Sequence, residues 1–427
     1  MLVFFCGLKG ATIKDVTIDK SCSFKGEFVG ALSVRVLGSL TVANVVNSAV
    51  LNGQWKVGGF VASMENLKDQ VQTLSFESCV SKATVSGRST MAGFIASVYI
   101  NSKMNLNFVN CEQSGTITGS NTVGGFIGTL GSNTDLSLNI TGCVNSGKIQ
   151  GDSWTAGFIA SASWNKNSNI MIVDSVNNGN VNASSNVGGF IGSFMANANS
   201  DGTLYNCTNN GAISGINGFC GGMVGSLSLS SEPEMSGANL VVKNCANKGK
   251  ISVSSSNGCG MFCVEPSKAQ HLTSFVVNSV NKGELKSGAN VYGAANIISK
   301  ADNFVSMGKL TASSDAFSFW NECTDVGRAY CLKSTCSKCD YATQFEYQSS
   351  KKTYNVVGSG EKVHDVLTFQ ARKMRYGMVW TNELELVYGE MPPATSETSP
   401  PSSGVIHVLS PLAILLMVIL IFIMTNF

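Results

Sequence analysis

One stretch of this chain is written again and again at a fixed spacing, and that period limits its fold more than any bulk property does. Asn110-Cys111-Glu112-Gln113-Ser114-Gly115-Thr116-Ile117, followed by Val123-Gly124-Gly125-Phe126-Ile127-Gly128, returns as Gly142-Cys143-Val144-Asn145-Ser146-Gly147-Lys148-Ile149 with Thr155-Ala156-Gly157-Phe158-Ile159-Ala160. Further copies begin at Asp174 and Asn206, the latter with Gly221-Gly222-Met223-Val224-Gly225. The step from Phe94 to Phe126 recurs unchanged to Phe158 and again to Phe190, and Cys79, Cys111, Cys143, Ser175 and Cys207 keep it. A fixed period of this size marks a stacked repeat architecture.

Within one period the apolar residues alternate. Leu136, Leu138 and Ile140 share one face of an extended segment, as do Leu106 and Phe108. Glycine and asparagine turns divide each unit into three short apolar segments. One such unit cannot bury its own apolar face, whereas stacked units can. The expected fold is all-β: a right-handed parallel β-helix of about nine coils, roughly 40–45 Å tall at the usual strand spacing. In the third segment, small residues flank one large ring per coil, so Phe60, Phe94, Phe126, Phe158 and Phe190 are expected to form a core column. Each buried ring would stabilise the stack by roughly 1.5–3 kcal/mol. Asn145, Asn177, Asn209, Asn247 and Asn281 fall two residues before a glycine in successive units, the pattern of an amide ladder at a turn.

The repeat reading extends over residues 1–310, degraded before Val57-Gly58-Gly59-Phe60 and stretched near Ser231 to Gly237, where an outward loop is expected. Residues 311–390 lose the period and concentrate aromatics. Val363 to Phe369 and Glu383 to Tyr388 read there as strands of a β-rich, cysteine-containing module capping the open end of the stack. Residues 391–404 form a proline, serine and threonine linker. Val405 to Met424 contains no Asp, Glu, Lys or Arg. It has the length of about 20 residues that a helix needs to cross a bilayer. Residues 405–427 thus read as a transmembrane segment or, behind small residues, a lipid-anchor signal. The apolar run Leu2 to Cys6 is too short for the core of a signal peptide.

Charged residues make up only 13% of the 427, with a formal balance of +2 and no basic stripe, so no nucleic-acid partner is expected. The cysteines at the repeat position read as small buried packing groups. Cys323, Cys331, Cys336 and Cys339 lie outside the repeats and are disulfide candidates. A zinc site is the rival reading, but there is a single C-x-x-C and the nearest histidine is His364. No metal and no cofactor are expected. Asn139, Asn182 and Asn206 match the N-glycosylation pattern, and Asn182 is the best placed because the other two abut the cysteine position.

The Gly-Gly-Phe-Ile-Gly segments after Asn-x-Gly-x-Ile resemble GLUG-motif repeat proteins over about residues 29 to 310. They are more loosely similar to the repeats of polymorphic outer-membrane proteins and to adhesin-like surface proteins of parasitic protists. That resemblance implies a parallel β-helix displayed at a cell surface. Parallel β-helices also host polysaccharide-degrading enzymes, which need clustered carboxylates. Here Asp135, Asp152, Asp174 and Asp201 fall at differing points of the period, and His271 is the sole histidine in the repeats. The expectation is therefore a non-enzymatic, membrane-anchored adhesin or binding scaffold at the plasma membrane. Its partner would be a host, matrix or glycan ligand, or a second copy. The alternatives are a polysaccharide-degrading enzyme and a tail-anchored intracellular scaffold. Ser231 to Gly237 and Trp164 to Asn169 are the loops expected to face a ligand.

Overall fold

The computed structural model describes residues 5–65, 71–100, 103–132, 135–165, 167–196, 199–229, 238–265, 272–339 and 342–389. It is an all-β parallel solenoid. The coil opening at Met104 contributes Met104–Val109, Glu112–Gln113, Ile117–Thr118 with Thr122–Gly124, and Ile127–Ser132. Its successor repeats them as Leu136–Thr141, Val144–Asn145, Ile149–Gln150 with Thr155–Ala156, and Ile159–Asn165. The pairing is parallel and in register, Leu106 beside Leu138, Gln113 beside Asn145 and Ile127 beside Ile159. Three of the ladders so built contain nine, eleven and thirteen strands, and a fourth set is two further parallel ladders that share the long strands Ser23–Gly30 and Val50–Gly58 at one end. The nine rungs of the shortest are separated by about eight turns.

The expected ring column is present. Phe60, Phe94, Phe126, Phe158 and Phe190 are fully buried, with successive centroids 4.9, 4.8, 4.8 and 4.7 Å apart. That is the spacing of hydrogen-bonded strands, so backbone pairing and ring stacking are met together. A second pair, Phe76 and Phe108, stacks at 5.1 Å and meets the column edge-on at 85° to 88°. The glycines beside the ring have a steric reason: a Cβ on Gly124 would overlap the Ile127 carbonyl, and one on Gly125 the Gly157 carbonyl of the next coil.

Both polar ladders face inward or sit at a corner. Asn145 Nδ2 donates to Asn177 Oδ1 at 2.6 Å, Asn177 to Asn209 at 2.7 Å, Asn209 to Asn247 at 2.8 Å and Asn247 to Asn281 at 2.8 Å. At another corner Asn44, Asn110, Asp174, Asn206, Asn244, Asn278 and Asn303 all take positive φ, a conformation that asparagine and aspartate tolerate best after glycine. This second ladder was not expected from the sequence.

Two expectations about residues 311–390 need correcting. Parallel pairing does not end at residue 310: Leu310–Ala312, Ala316–Phe317, Glu322–Val326 and Ala329–Leu332 each continue a ladder. The period fades because the nine-stranded ladder stops at Phe262–Val264, and a coil that lacks that strand is shorter. Asn278 and Asn303 are accordingly 25 residues apart, where Asn177 and Asn209 are separated by 32. Second, Val363–Lys373 is an α-helix, not a strand. Its buried residues Val363, Leu367 and Ala371 recur every four positions, a helical stripe that the flanking apolar residues disguised as alternation.

After Thr343–Gln348 pairs in parallel with Ala329–Leu332, Thr353–Val356 turns back antiparallel, and the chain through Tyr388 lies along the solenoid flank. Val363, Leu367, Tyr376, Trp380 and Leu384 bury the outward residues Ala246, Val280, Val305 and Tyr330 in a second core. The polar corner joins it: Asn244 donates to the Tyr376 carbonyl at 2.6 Å, Trp380 Nε1 to Asn278 Oδ1 at 2.8 Å, and Tyr388 Oη to Asp174 Oδ1 at 2.5 Å. Among the described residues no helix is long and apolar enough to cross a membrane. The linker and the apolar segment of residues 391–427 lie outside them.

Candidate functional site

The column and both ladders engage the inward and corner residues of the coils in packing and in one another, so ligand contact falls to outward side chains. One corner carries a cleft of about 260 Å³ lined by Gln54, Trp55, Arg88, Ser89, Ser120 and Asn121. Three successive coils meet there, held by Ser89 N–H to the Gln54 carbonyl at 3.1 Å and Asn121 N–H to the Ser89 carbonyl at 3.3 Å. Trp55 is 55% exposed. By the register of Lys56 with Thr90 and of Thr90 with Thr122, the two coils above place Ser89 and Asn121 where Trp55 stands. A tryptophan at a position otherwise given to small polar residues was the available signal, and the sequence reading missed it. Trp154, 41% exposed, registers with Thr122, Thr90 and Lys56, one residue beyond the Trp55 position.

The other side of the Trp55 strand lines a second depression with Phe28, Arg35, Lys56 and Glu65. Arg35 pairs with Glu65 at 2.5 Å, and Lys56 reaches Ser63 Oγ at 3.5 Å. Burial holds the Lys56 ammonium below its usual pKa, partly opposed by Glu65.

Of the four cysteines expected to pair, three come together. Cys331 on Ala329–Leu332 and Cys336 and Cys339 on the following loop bring their sulfurs within 4.8 Å of one another. Cys336 Sγ lies within bonding reach of both of the others, of which it can bond only one. Cys323 is a separate, free thiol a corner earlier, on Glu322–Val326, donating to the Asp325 carbonyl at 3.4 Å. Burial pushes that thiol up to about 11. A disulfide the sequence reading did not anticipate joins Cys259 to Cys263. At the repeat position Cys79, Cys111, Cys143, Cys207 and Cys245 are free and buried. They also serve the turns: Cys111 N–H donates to Cys143 Sγ at 3.4 Å and Cys143 N–H to Ser175 Oγ at 3.2 Å, which explains why serine can replace cysteine there.

The glycosylation candidates differ in availability. Asn182 is exposed, whereas Asn139 bonds Asn107 Oδ1 at 3.2 Å and Asn206 bonds Asp174 at 2.6 Å and Tyr388 at 3.0 Å. Asp174 is thereby a structural acceptor, and Asp201 likewise accepts from Asn239 at 2.8 Å; Asp135 and Asp152 are exposed. Asp135 and Asp201 lie near the start of one ladder two coils apart, while Asp152 and Asp174 sit elsewhere on the coil, so the four acids do not converge. Another carboxylate is buried: Asp302 accepts from the Arg328 guanidinium, the Arg328 N–H and the Tyr376 hydroxyl, latching the flanking segment to the solenoid. Burial pushes its pKa up, but the Tyr376 and Arg328 hydrogen bonds outweigh that and leave it below the ordinary value. Of the two expected ligand loops, Ser231 to Gly237 lies outside the described residues, as does Lys166 in the other; His271 does too. Comparison of the chain with family models, with curated proteins and with solved structures finds no match.

Proposed function

We propose that this chain is a membrane-anchored surface protein that binds without catalysis, its solenoid acting as a stiff post that presents a carbohydrate-binding cleft at Trp55. The observation that carries this reading is the cleft itself, a tryptophan more than half exposed beside a guanidinium and two side-chain amides. Sugar rings carry C–H groups on their faces, which lie against an indole, and hydroxyls on their rims, which bond to groups such as Arg88, Gln54 and Asn121.

The finer architecture belongs to the same proposal. The coils wind to the right, as parallel strand crossovers do in nearly all proteins. Residues 391–404 form the stalk, and residues 405–427 supply the span or lipid anchor. The resemblance to GLUG-motif surface repeats supports this placement.

The test is binding of the purified chain to a panel of polysaccharides, alongside Trp55→Ala and Arg88→Ala. Binding without depolymerisation, lost at least tenfold in Trp55→Ala, is expected. Depolymerisation would replace the proposal with the polysaccharide-degrading enzyme, and survival of the chain when intact cells are treated with protease would replace it with the intracellular scaffold.

A further inference from the structure

The cysteine cluster closing the last full coil has a chemistry that pairing alone does not satisfy. A sulfur forms one disulfide, yet Cys336 faces both Cys331 and Cys339, so any disulfide within the trio leaves one thiol over. Cys323 is not that partner, being outside the group of mutually close sulfurs and engaged with the Asp325 carbonyl. Cys331 and Cys339 are buried against the end of the main apolar core, and Cys336 is half-buried beside them.

The loop is held in place without help from the sulfurs. Ser318 N–H donates to the Ser337 carbonyl at 2.9 Å, and Ser337 N–H returns a bond to Ser318 Oγ at 2.7 Å. Thr335 N–H donates to the Leu332 carbonyl at 2.9 Å, and Ala342 N–H to the Cys339 carbonyl at 2.9 Å. The one lysine within the Cys336 to Cys339 turn, Lys338, is engaged by Asp315 at 2.5 Å and lies 4.6 Å from the Phe317 ring. Three soft ligands thus converge from a strand and a pinned loop in C-x4-C-x2-C spacing, two of them shielded from water.

We propose that Cys331, Cys336 and Cys339 form a three-thiolate centre for a thiophilic divalent cation, zinc, with a water molecule as its fourth ligand. Thiolate sulfur is the preferred ligand of such ions, and zinc favours four-fold coordination. Binding one Zn²⁺ releases three protons from three thiols, giving a site of net charge −1, with no oxidant needed. The centre clips the loop to the last full coil, and a bound cation keeps the sulfurs from oxidising wherever the chain resides. It does not depend on the Trp55 cleft.

The full chain, prepared under thiol-protecting conditions in zinc-supplemented medium, is expected to carry about one zinc per chain. Cobalt substituted for zinc should give thiolate-to-metal charge-transfer absorption together with tetrahedral d–d bands. Cys336→Ser should lose the metal while keeping its far-ultraviolet circular dichroism, and Cys323→Ser should retain it. Should Cys336→Ser fail to fold, the cobalt spectrum of the unmutated chain decides alone. Recovery of the trio with one disulfide and no metal, a featureless cobalt spectrum, or zinc that persists in a folded Cys336→Ser chain would overturn the proposal.

Discussion

Replacing Asn177 by alanine tests whether the inner amide ladder holds the coils together or merely lines their turn. Asn177 is fully buried; its Oδ1 accepts from Asn145 at 2.6 Å, and its Nδ2 donates to Asn209 Oδ1 at 2.7 Å and to the Gly179 carbonyl at 3.1 Å. Alanine strands a donor on one coil and acceptors on its own coil and the next. Three orphaned groups at about 1–3 kcal/mol each place the loss at about 3–9 kcal/mol, the upper end being blunted if a water enters the vacated space. Asn178→Ala is the control, since the exposed Asn178 accepts a similar bond from Asn210 at 2.8 Å where water can replace it, and should cost about 0.5 kcal/mol or less. Asn177→Gln should fall between them. Gln113, at the same position two coils earlier, bonds the Gly115 carbonyl at 2.9 Å, yet Asn145 Oδ1 beside it finds no donor. The assay is native-state hydrogen exchange with denaturant unfolding, because coupling in a solenoid is between neighbours and protection should fall mainly between residues 143 and 213. Equal losses for the Asn177 and Asn178 alanine variants, or an even loss of protection along the whole stack, would refute the reasoning.

Phe126→Ala removes a ring stacked between Phe94 and Phe158 at 4.8 Å on either side; unfolding should show a loss of about 3–5 kcal/mol, against little change for Phe369→Ala, whose ring is 63% exposed. Acid should release the flanking segment before it melts the ladders. Asp302 is held below its ordinary pKa, and so is Glu385, whose burial is outweighed by Lys248 and Lys282. A carboxylate depressed in the fold stabilises above its unfolded value, near 4, and loses that contribution as pH falls through the folded value, so Trp380 fluorescence should change below about pH 4 while far-ultraviolet circular dichroism persists. An emission spectrum unchanged from pH 7 to pH 2 would contradict this. Glycosidase treatment of chain from a eukaryotic secretory host should produce one mass shift, abolished by Asn182→Gln and unaffected by Asn139→Gln.

The repeat was legible because its spacing is a physical requirement. One coil must place a ring, an amide and a glycine above the same groups of the last, and extra residues are taken up between strands, as where Asn209 and Asn247 still bond at 2.8 Å across 38 residues. Only the wound chain reveals the corner ladder, because its members are written Asn or Asp, with Ser78 and Gly142 at the same corner, and share a backbone conformation instead of a side chain. The reach of the solenoid beyond residue 310 was hidden for a related reason. Dropping one strand shortens the coil without breaking the other ladders, so a search at the fixed interval loses what pairing retains.

What the sequence determined alone was the axial order: strand alternation, the Phe60 to Phe190 column and the Asn145 to Asn281 ladder all follow from one motif rewritten at steps of 32 to 38 residues. What the tertiary structure decided was lateral. Val363–Lys373 folds as a helix because a flank bearing Ala246, Val280, Val305 and Tyr330 is there to receive its apolar stripe. Trp55, Arg88 and Asn121 share a cleft because stacking puts residues one and two whole coils apart in the chain within one and two strand spacings of each other, a proximity that no local pattern records.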